Sequence, residues 1–348
     1  MLLDNKATNI SVLDLRTVRN RFPGVEYFDG DITSATEVSA LLQKVKPQVI
    51  IHTASPTAML YNTALFDRVN VGGTDNLLKC AGEAGTVKAF VYTSSASVVH
   101  DTRSDLVFAD ESYPVLRLPE QQDYYSYTKG IADTHVLEAN RKYGDMLTIS
   151  IRPAGIFGEG DVQNLPPVIE NYWHGSTNWQ LGDNSNYFDF TYVVNIAHAH
   201  LLAAQALLET HSMKTRPLDH EKVDGEAFFI TNDEPILFWD YARAIWTLAG
   251  WKGSARDAWI IPKKVGIVLA YVIEWVVWIF TLGMKEPRLK PKIVRYSTMT
   301  RTYSVDKAKK RLGYKPLVSL RDGLKRGVDW YVESKREERQ KSEEKKEM

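Results

Sequence analysis

Cysteine is almost absent from this 348-residue chain, and the single Cys80 permits neither an intrachain disulfide nor a cysteine-built metal cluster. The working surface is therefore expected to face a reducing compartment. Net charge is missing too: 43 basic side chains meet 43 acidic ones, so no global field draws nucleic acid and no nucleic-acid partner is expected. The opening MLLDNKATNIS carries charge and lacks the apolar stretch of a secretory signal. Glycine is absent from the front, the first being Gly24. No repeat recurs at the periods of solenoids or propellers. Apolar residues at 44% and aromatics at 11% exclude disorder and predict a globular chain with a sizeable core.

Four apolar runs that end in polar residues predict buried parallel strands at 9–15, 25–32, 47–55 and 88–97, separated by helix-period stretches at 35–45 and 66–85. Such alternation implies right-handed crossovers and an α/β fold with a doubly wound parallel sheet, its ligands bound beyond the carboxyl ends of the strands. Function should then gather at Asp14, Asp31, His52 to Ser55 and Thr93 to Ser97. A helix at 124–144 and a strand at 147–158 continue the pattern. Pro- and Asn-rich loops at 159–190, an apolar helix at 193–209 and a mixed region to about residue 330 read as a smaller substrate-binding part over the sheet.

In a dinucleotide-binding fold, a Gly-rich turn lies about 20 residues before the acid that grips the adenine ribose. Asp14, closing NISVLDL, is the natural ribose acid, yet only thirteen residues precede it. The first strand and its phosphate turn are thus expected to be missing, leaving neighbouring strands to face an unpaired edge or to close up. A shortened version of a complete enzyme and a relative that does not bind the cofactor both satisfy this reading.

Tyr-x-x-x-Lys on a helix stacks a phenol and an ammonium one turn apart, where the cation favours the phenolate. The spacing occurs three times, at Tyr125/Lys129, Tyr303/Lys307 and Tyr331/Lys335. Only the first follows a strand ending in a hydroxyl cluster, YTSSASV, and precedes another strand of the same sheet. Context selects Tyr125 and Lys129.

The motifs DLRT, GDI, HTAS, VNVGGT, YTSSASV, YSYTK and RPAGIFG, in this order, resemble the extended short-chain dehydrogenase/reductase family. Segments 187–204, 225–241 and 301–324 are similar to its 3β-hydroxysteroid dehydrogenase group, most closely the decarboxylating sterol-4α-carboxylate 3-dehydrogenases. The resemblance implies a truncated NAD-binding Rossmann domain at 1–158, a substrate-binding region at 159–330 and a charged tail at 331–348. It implies Tyr125 as general base toward a 3β-hydroxyl, Lys129 tuning it and holding the nicotinamide ribose, and Ser95 on the substrate oxygen. Ser94 and Ser97 compete for that last role, and strand alternation does not decide among them. Asn70 resembles the asparagine that supports the site; a helix-capping or core amide is the plainer alternative. For the cofactor, NAD, it implies Asp14 on the ribose, Asp31 and Ile32 beside adenine, and Thr53, Lys129 and Pro153 along the remainder. Asp14 favours NAD over NADP, although Arg16 and Arg19 lie near enough to weaken that preference, and Asp31 also fits a turn or helix cap. A 4α-carboxysterol oxidised at C3 becomes a β-keto acid, which loses carbon dioxide readily. The group leaves room for a dehydrogenase/isomerase, for a dihydroflavonol-reductase-like activity, and for an inactive membrane-tethered sterol-binding protein. His198 and His200 stand at i,i+2 on one helix, point to different faces, and read as packing residues rather than metal ligands.

An apolar run at 265–282, broken only by Glu274, reaches the lower limit for crossing a bilayer. Lys263 and Lys264 precede it and Lys285, Arg288, Lys290 and Lys292 follow, so charge assigns no orientation. Because 301–316 resembles the part that returns to the catalytic domain, both ends must lie on one side of a membrane. An interfacial helix or shallow hairpin satisfies this, with Tyr271, Trp275 and Trp278 at the headgroups; a buried core helix is the alternative. The tail ends in Lys345-Lys346-Glu347-Met348, similar to a dilysine retrieval signal. The expected place is the endoplasmic reticulum membrane with the catalytic part facing the cytosol. The expected partners are a sterol and a membrane surface, with other enzymes of sterol biosynthesis or a second copy left open.

Overall fold

Strand and helix alternate through the first half as the apolar pattern requires. The computed structural model describes residues 1–4, 7, 9–60, 62–282, 284, 287 and 289–347. Its first half contains β1 (Ile10–Asp14), β2 (Val25–Asp29), α1 (Ala35–Val45), β3 (Val49–His52), α2 (Thr63–Phe66), a π-helical stretch (Asp67–Gly73), α3 (Thr74–Ala84), β4 (Ala89–Thr93), β5 (Leu106–Ala109), α4 (Tyr124–Glu138) and β6 (Leu147–Pro153). There follow β7 (Gly155–Phe157), α5 (Leu165–Trp173), β8 (Trp179–Leu181), β9 (Tyr187–Phe188), β10 (Phe190–Tyr192), α6 (Val193–Ser212), β11 (Glu226–Ile230), β12 (Ile236–Leu237) and α7 (Phe238–Leu248). The chain ends with β13 (Trp259–Ile261), α8 (Lys263–Thr281), α9 (Pro291–Ser297), β14 (Arg301–Tyr303), α10 (Asp306–Leu312) and α11 (Leu320–Glu347).

The central sheet runs β11-β6-β4-β3, every pair parallel. Side chains alternate across it. Ala89, Val91, Leu147, Ile149 and Ile151 pack toward Ala199, Ala203 and Leu207 of α6, whereas Phe90 and Tyr92 pack with Val38, Leu42, Leu77, Leu78, Ala132 and Val136 of α1, α3 and α4. Helices therefore cover both faces. Inside one face Asp133 and Arg152 form a fully buried ion pair, Nη2 to Oδ2 at 2.6 Å and Nε to Oδ1 at 3.2 Å, with the Ser150 hydroxyl also donating to Asp133.

β1 and β2 form a separate parallel pair. Among the described residues β1 hydrogen-bonds only to β2 and β3 only to β4, although Leu13 and Ile50 pack on the same apolar cluster. The sheet is thus interrupted at the place where the sequence predicted an unpaired edge. Val12 and Asp14 of β1 are exposed, so this strand is less covered than its apolar sequence suggests.

Several expected boundaries move. The helix predicted at 66–85 is interrupted by the π-helical stretch, and at Gly73 a Cβ would stand 2.7 Å from Ile32 Cδ1, so any side chain there must displace Ile32. The helix at 124–144 stops at Glu138, and the strand at 147–158 divides at Ala154. The supposed loops at 159–190 carry α5, β8 and β9, which are too short for a periodic signal. α11 runs unbroken into the charged tail: Leu320, Leu324, Val328 and Tyr331 anchor its first half in an apolar cluster with α5 and α7.

The alternative of a buried core helix at 265–282 is not the one observed: α8 buries only Gly266 and Ala270, and Trp275, Trp278 and Phe280 are 66%, 61% and 83% exposed. Tyr271, Trp275 and Trp278 lie together on its open side. Both its ends join the body, through β13 paired to β8 before it and through β14 paired to β5 and β9 after it. Lys285 and Arg288 of the flanking cations, and Met348 of the final motif, lie outside the described residues.

Candidate active site

The parallel register of β3, β4 and β6 brings His52 to Ser55, Thr93 to Ser97 and Pro153 to one edge of the sheet. α4 starts beside them because Asp123 caps it, its Oδ2 accepting Ser126 N at 3.1 Å and Ser126 Oγ at 2.7 Å. Tyr125 thus stands in the first turn, and Lys129 one turn deeper.

Burial pushes the Tyr125 phenol up to about 12, the Asp123 charge adds to the push, and the nearby Ser95 hydroxyl draws it partly back. Of the three candidate hydroxyls, Ser95 is the one beside the phenol. Ser97 stands behind it, Oγ to Oγ at 2.7 Å, and donates its backbone N–H to Ser95 Oγ at 3.2 Å. Ser94 is only 2% exposed and lies toward the buried Asp133. Ser97 Oγ is in turn 2.8 Å from Ser126 Oγ, so a row of hydroxyls runs from Tyr125 through Ser95, Ser97 and Ser126 to Asp123. Sequence reasoning missed Ser126 and Asp123, although Asp three residues before Ser is a helix-capping signature.

Lys129 is 2% exposed, donates to Thr93 O and lies over the Tyr92 ring at 4.3 Å. Burial pulls its ammonium down to about 7, against the favourable charge of Asp133. The tuning of Tyr125 by Lys129 is what the resemblance implies; here the ammonium is turned to Thr93 O at the sheet edge, and the groups acting on the phenol are burial, Asp123 and Ser95. His52 is neutral, pulled down to about 3 by burial and by the nearby Lys129, with Nε2 3.0 Å from Thr74 Oγ1.

Asn70 is 1% exposed and lies in the π-helical stretch. Its Oδ1 accepts Ser55 Oγ at 2.9 Å and its Nδ2 donates to Thr128 Oγ1 at 3.1 Å. One amide thereby joins the loop after β3 to the catalytic face of α4.

The residues assigned to the cofactor divide. Asp14 is exposed at the carboxyl end of β1, Thr53 is exposed at that of β3, and Pro153 is buried at that of β6. Asp31 instead closes a turn, its Oδ1 accepting Thr33 N at 2.8 Å, and Ile32 packs into the core against Gly73. The turn-cap alternative for Asp31 is the one observed. Asp29, not singled out from sequence, accepts Thr17 N at 2.7 Å and Thr17 Oγ1 at 2.6 Å.

The other tyrosine–lysine spacings are otherwise engaged. Lys307 pairs with Glu226 at 2.7 Å, and Tyr331 donates to Glu170 Oε1 at 2.9 Å. His200 sits between Thr93 Oγ1 at 2.6 Å and Ile196 O at 2.7 Å, and His198 lies half-buried beside the Tyr314 ring.

Known proteins share both the fold and the sequence. The chain aligns with UDP-glucose 4-epimerase of Thermotoga maritima at TM-score 0.69 and 18% identity, over 96% of this chain and 93% of that one. It aligns with dTDP-glucose 4,6-dehydratase of Bacillus anthracis, solved with NAD, at TM-score 0.65 and 18% identity over 95% and 91%. These likenesses identify a Rossmann-like α/β fold. In sequence the chain is 37% identical to the decarboxylating sterol-4-alpha-carboxylate 3-dehydrogenase of Saccharomyces cerevisiae over 94% of its length and 92% of that protein. The human protein of the same description is 35% identical over 88% and 77%. Residues 1–260 match the family described as 3-beta hydroxysteroid dehydrogenase/isomerase. With a Tyr-x-x-x-Lys helix set against a serine-rich strand end and kinship over nearly its whole length, the chain belongs to the 3-beta hydroxysteroid dehydrogenase/isomerase family.

Proposed function

We propose that this protein oxidises the 3β-hydroxyl of a 4α-carboxysterol to the 3-ketone, with NAD as hydride acceptor, and so triggers loss of the carboxyl group in sterol biosynthesis. The observation that carries this reading is the Tyr125 phenol beside Ser95 at the strand edge, in a chain related at 37% identity to a sterol-4-alpha-carboxylate dehydrogenase. Ser95 fixes the substrate oxygen and Tyr125 takes its proton. In the ketone, the C4–carboxyl bond breaks, its electron pair moves toward the C3 oxygen, and carbon dioxide leaves.

NAD fits the residues at its sugar ends. Asp14 is an exposed acid at a strand terminus, suited to a ribose diol, and Lys129 brings a buried donor to the edge near Tyr92 and Thr93. When bound, NAD accepts the hydride from C3. The diphosphate is not matched by Gly72–Gly73, because that stretch is helical and Gly73 packs on Ile32.

α8 rests in the surface of the endoplasmic reticulum membrane, and the catalytic part faces the cytosol. Its exposed tryptophans and its two attachments to one body support an interfacial helix over a single crossing.

The test is NADH formation by the purified full chain in lipid nanodiscs with a 4α-carboxy-3β-hydroxysterol, with mass spectrometry of the ketone. Faster turnover of a Δ5-3β-hydroxysteroid or of a dihydroflavonol would replace this reading.

A further inference from the structure

Arg152 is buried and Arg301 half-buried with its Nε inside the fold, and the two differ in their partners. Arg152 has Asp133. Arg301, on β14 between β5 and β9, has no carboxylate within 4.0 Å among the described residues. Its guanidinium lies 5.4 Å from the Phe188 ring centre and 5.5 Å from that of Tyr296, and Nη2 donates to Tyr303 Oη at 3.1 Å. Its Nε is buried and has no hydrogen-bond partner. An unpaired buried donor on a cation is costly, and such a group is retained where a ligand completes it.

The position relates Arg301 to the catalytic end of α4. Asp123, two residues before Tyr125, is the acid whose charge acts on Arg301 without pairing with it; its own oxygens are taken by Lys292 at 2.5 Å and by Ser126. His100 does not compete as a cation, because burial first and the Arg301 charge second pull it down to about 4. α9, which supplies Tyr296 and Lys292, also ties to the apolar helix through Arg295 Nη2 to Tyr271 Oη at 3.1 Å. α9 thus links the apolar helix, the Arg301 guanidinium and the cap of α4.

We propose that Arg301 receives the carboxylate of the sterol, its orphan Nε–H and a neighbouring Nη–H forming the fork that carboxylate oxygens accept. This rests on the reaction assigned above and names the residue that selects an acid over a neutral sterol. The chemistry is consistent: the 4α-carboxyl is borne by the carbon next to C3, so its cation must lie close to the residues that hold the C3 oxygen. Flanking aromatic rings shield the planar guanidinium from water, which strengthens a charge-assisted pair.

The test is equilibrium binding of three radiolabelled probes to the full chain in nanodiscs: a 4α-carboxy-3β-hydroxysterol, its methyl ester, and the sterol lacking the carboxyl. Wild type should bind the acid about 10- to 100-fold more tightly than the ester. Arg301→Met should bring acid and ester within about threefold of each other, with Arg301→Lys in between. Equal binding of acid and ester by wild type overturns the assignment whether or not the variant folds, as does an unchanged preference in a folded Arg301→Met. Preference for the acid without NADH formation would sink the reaction and leave Arg301 standing. NADH formation without preference would do the reverse.

Discussion

Lys292 Nζ lies 2.5 Å from Asp123 Oδ1, an ion pair between residues 169 positions apart. It fastens the segment that follows the apolar helix to the cap of the catalytic helix. Burial pushes Asp123 up, but Lys292 and the Ser126 bonds outweigh it and hold the carboxyl below its ordinary range. That stabilisation is present above the unfolded pKa and is lost as pH falls through the folded one. Lys292→Met should therefore cost up to about 1 kcal/mol near pH 7, since the lysine is largely exposed, and less near pH 3. Urea unfolding at both pH values checks this, and a larger loss in acid would contradict it.

Tyr125→Phe should abolish oxidation and leave NAD affinity nearly unchanged, because the phenol acts on the substrate. Near-normal turnover of the variant would remove Tyr125 from the mechanism.

Lys129 carries an opposite pH signature. Its folded pKa, about 7, is well below the unfolded value of about 10.4. Burial of the ammonium therefore opposes folding fully below about pH 7, and the opposition fades as pH rises through about 10. Lys129→Met should raise stability by roughly 1–3 kcal/mol at neutral pH, with a smaller gain near pH 10, while lowering turnover and NAD affinity. Denaturation curves across that range would expose a wrong sign.

Arg152→Met should cost about 3–5 kcal/mol, because it leaves the Asp133 carboxylate buried and uncompensated. Asp133→Leu combined with Arg152→Met should recover much of that loss. Additive losses in the double variant would show that the pair is not the source.

Trp275→Glu, Trp278→Glu and Phe280→Glu together should shift the chain from floating vesicles to the soluble fraction without unfolding it, since α8 packs through Gly266 and Ala270. Protease added outside sealed microsomes should reach both the catalytic part and the tail. Protection of the tail would replace the interfacial helix with a crossing one.

The strands around the site were legible because buried parallel strands are written as short apolar runs closed by polar residues, and 47–55 and 88–97 do form β3 and β4 with their polar ends at the edge. Tyr125 and Lys129 followed from context. The direction of the Lys129 side chain did not, because it depends on Thr93 O and the Tyr92 ring, which arrive from a different strand. The turn at Asp31 was legible locally, since an aspartate two residues before a backbone N–H bonds its own turn. Arg301 carried no sequence signal at all, since being unpaired is a property of its surroundings.

The row of hydroxyls has a direction. Ser126 Oγ is placed to donate to Ser97 Oγ at 2.8 Å, which leaves the Ser97 proton for Ser95 and the Ser95 proton free, while the Asp123 carboxylate, an acceptor only, competes for the Ser126 proton at 2.7 Å. In this polarity Ser95 presents its hydrogen to the substrate oxygen, which leaves the alcohol's own proton for Tyr125 and suits the ketone that forms. The preference for the ketone is thereby carried by the orientation of hydroxyl dipoles, which no change of shape would report.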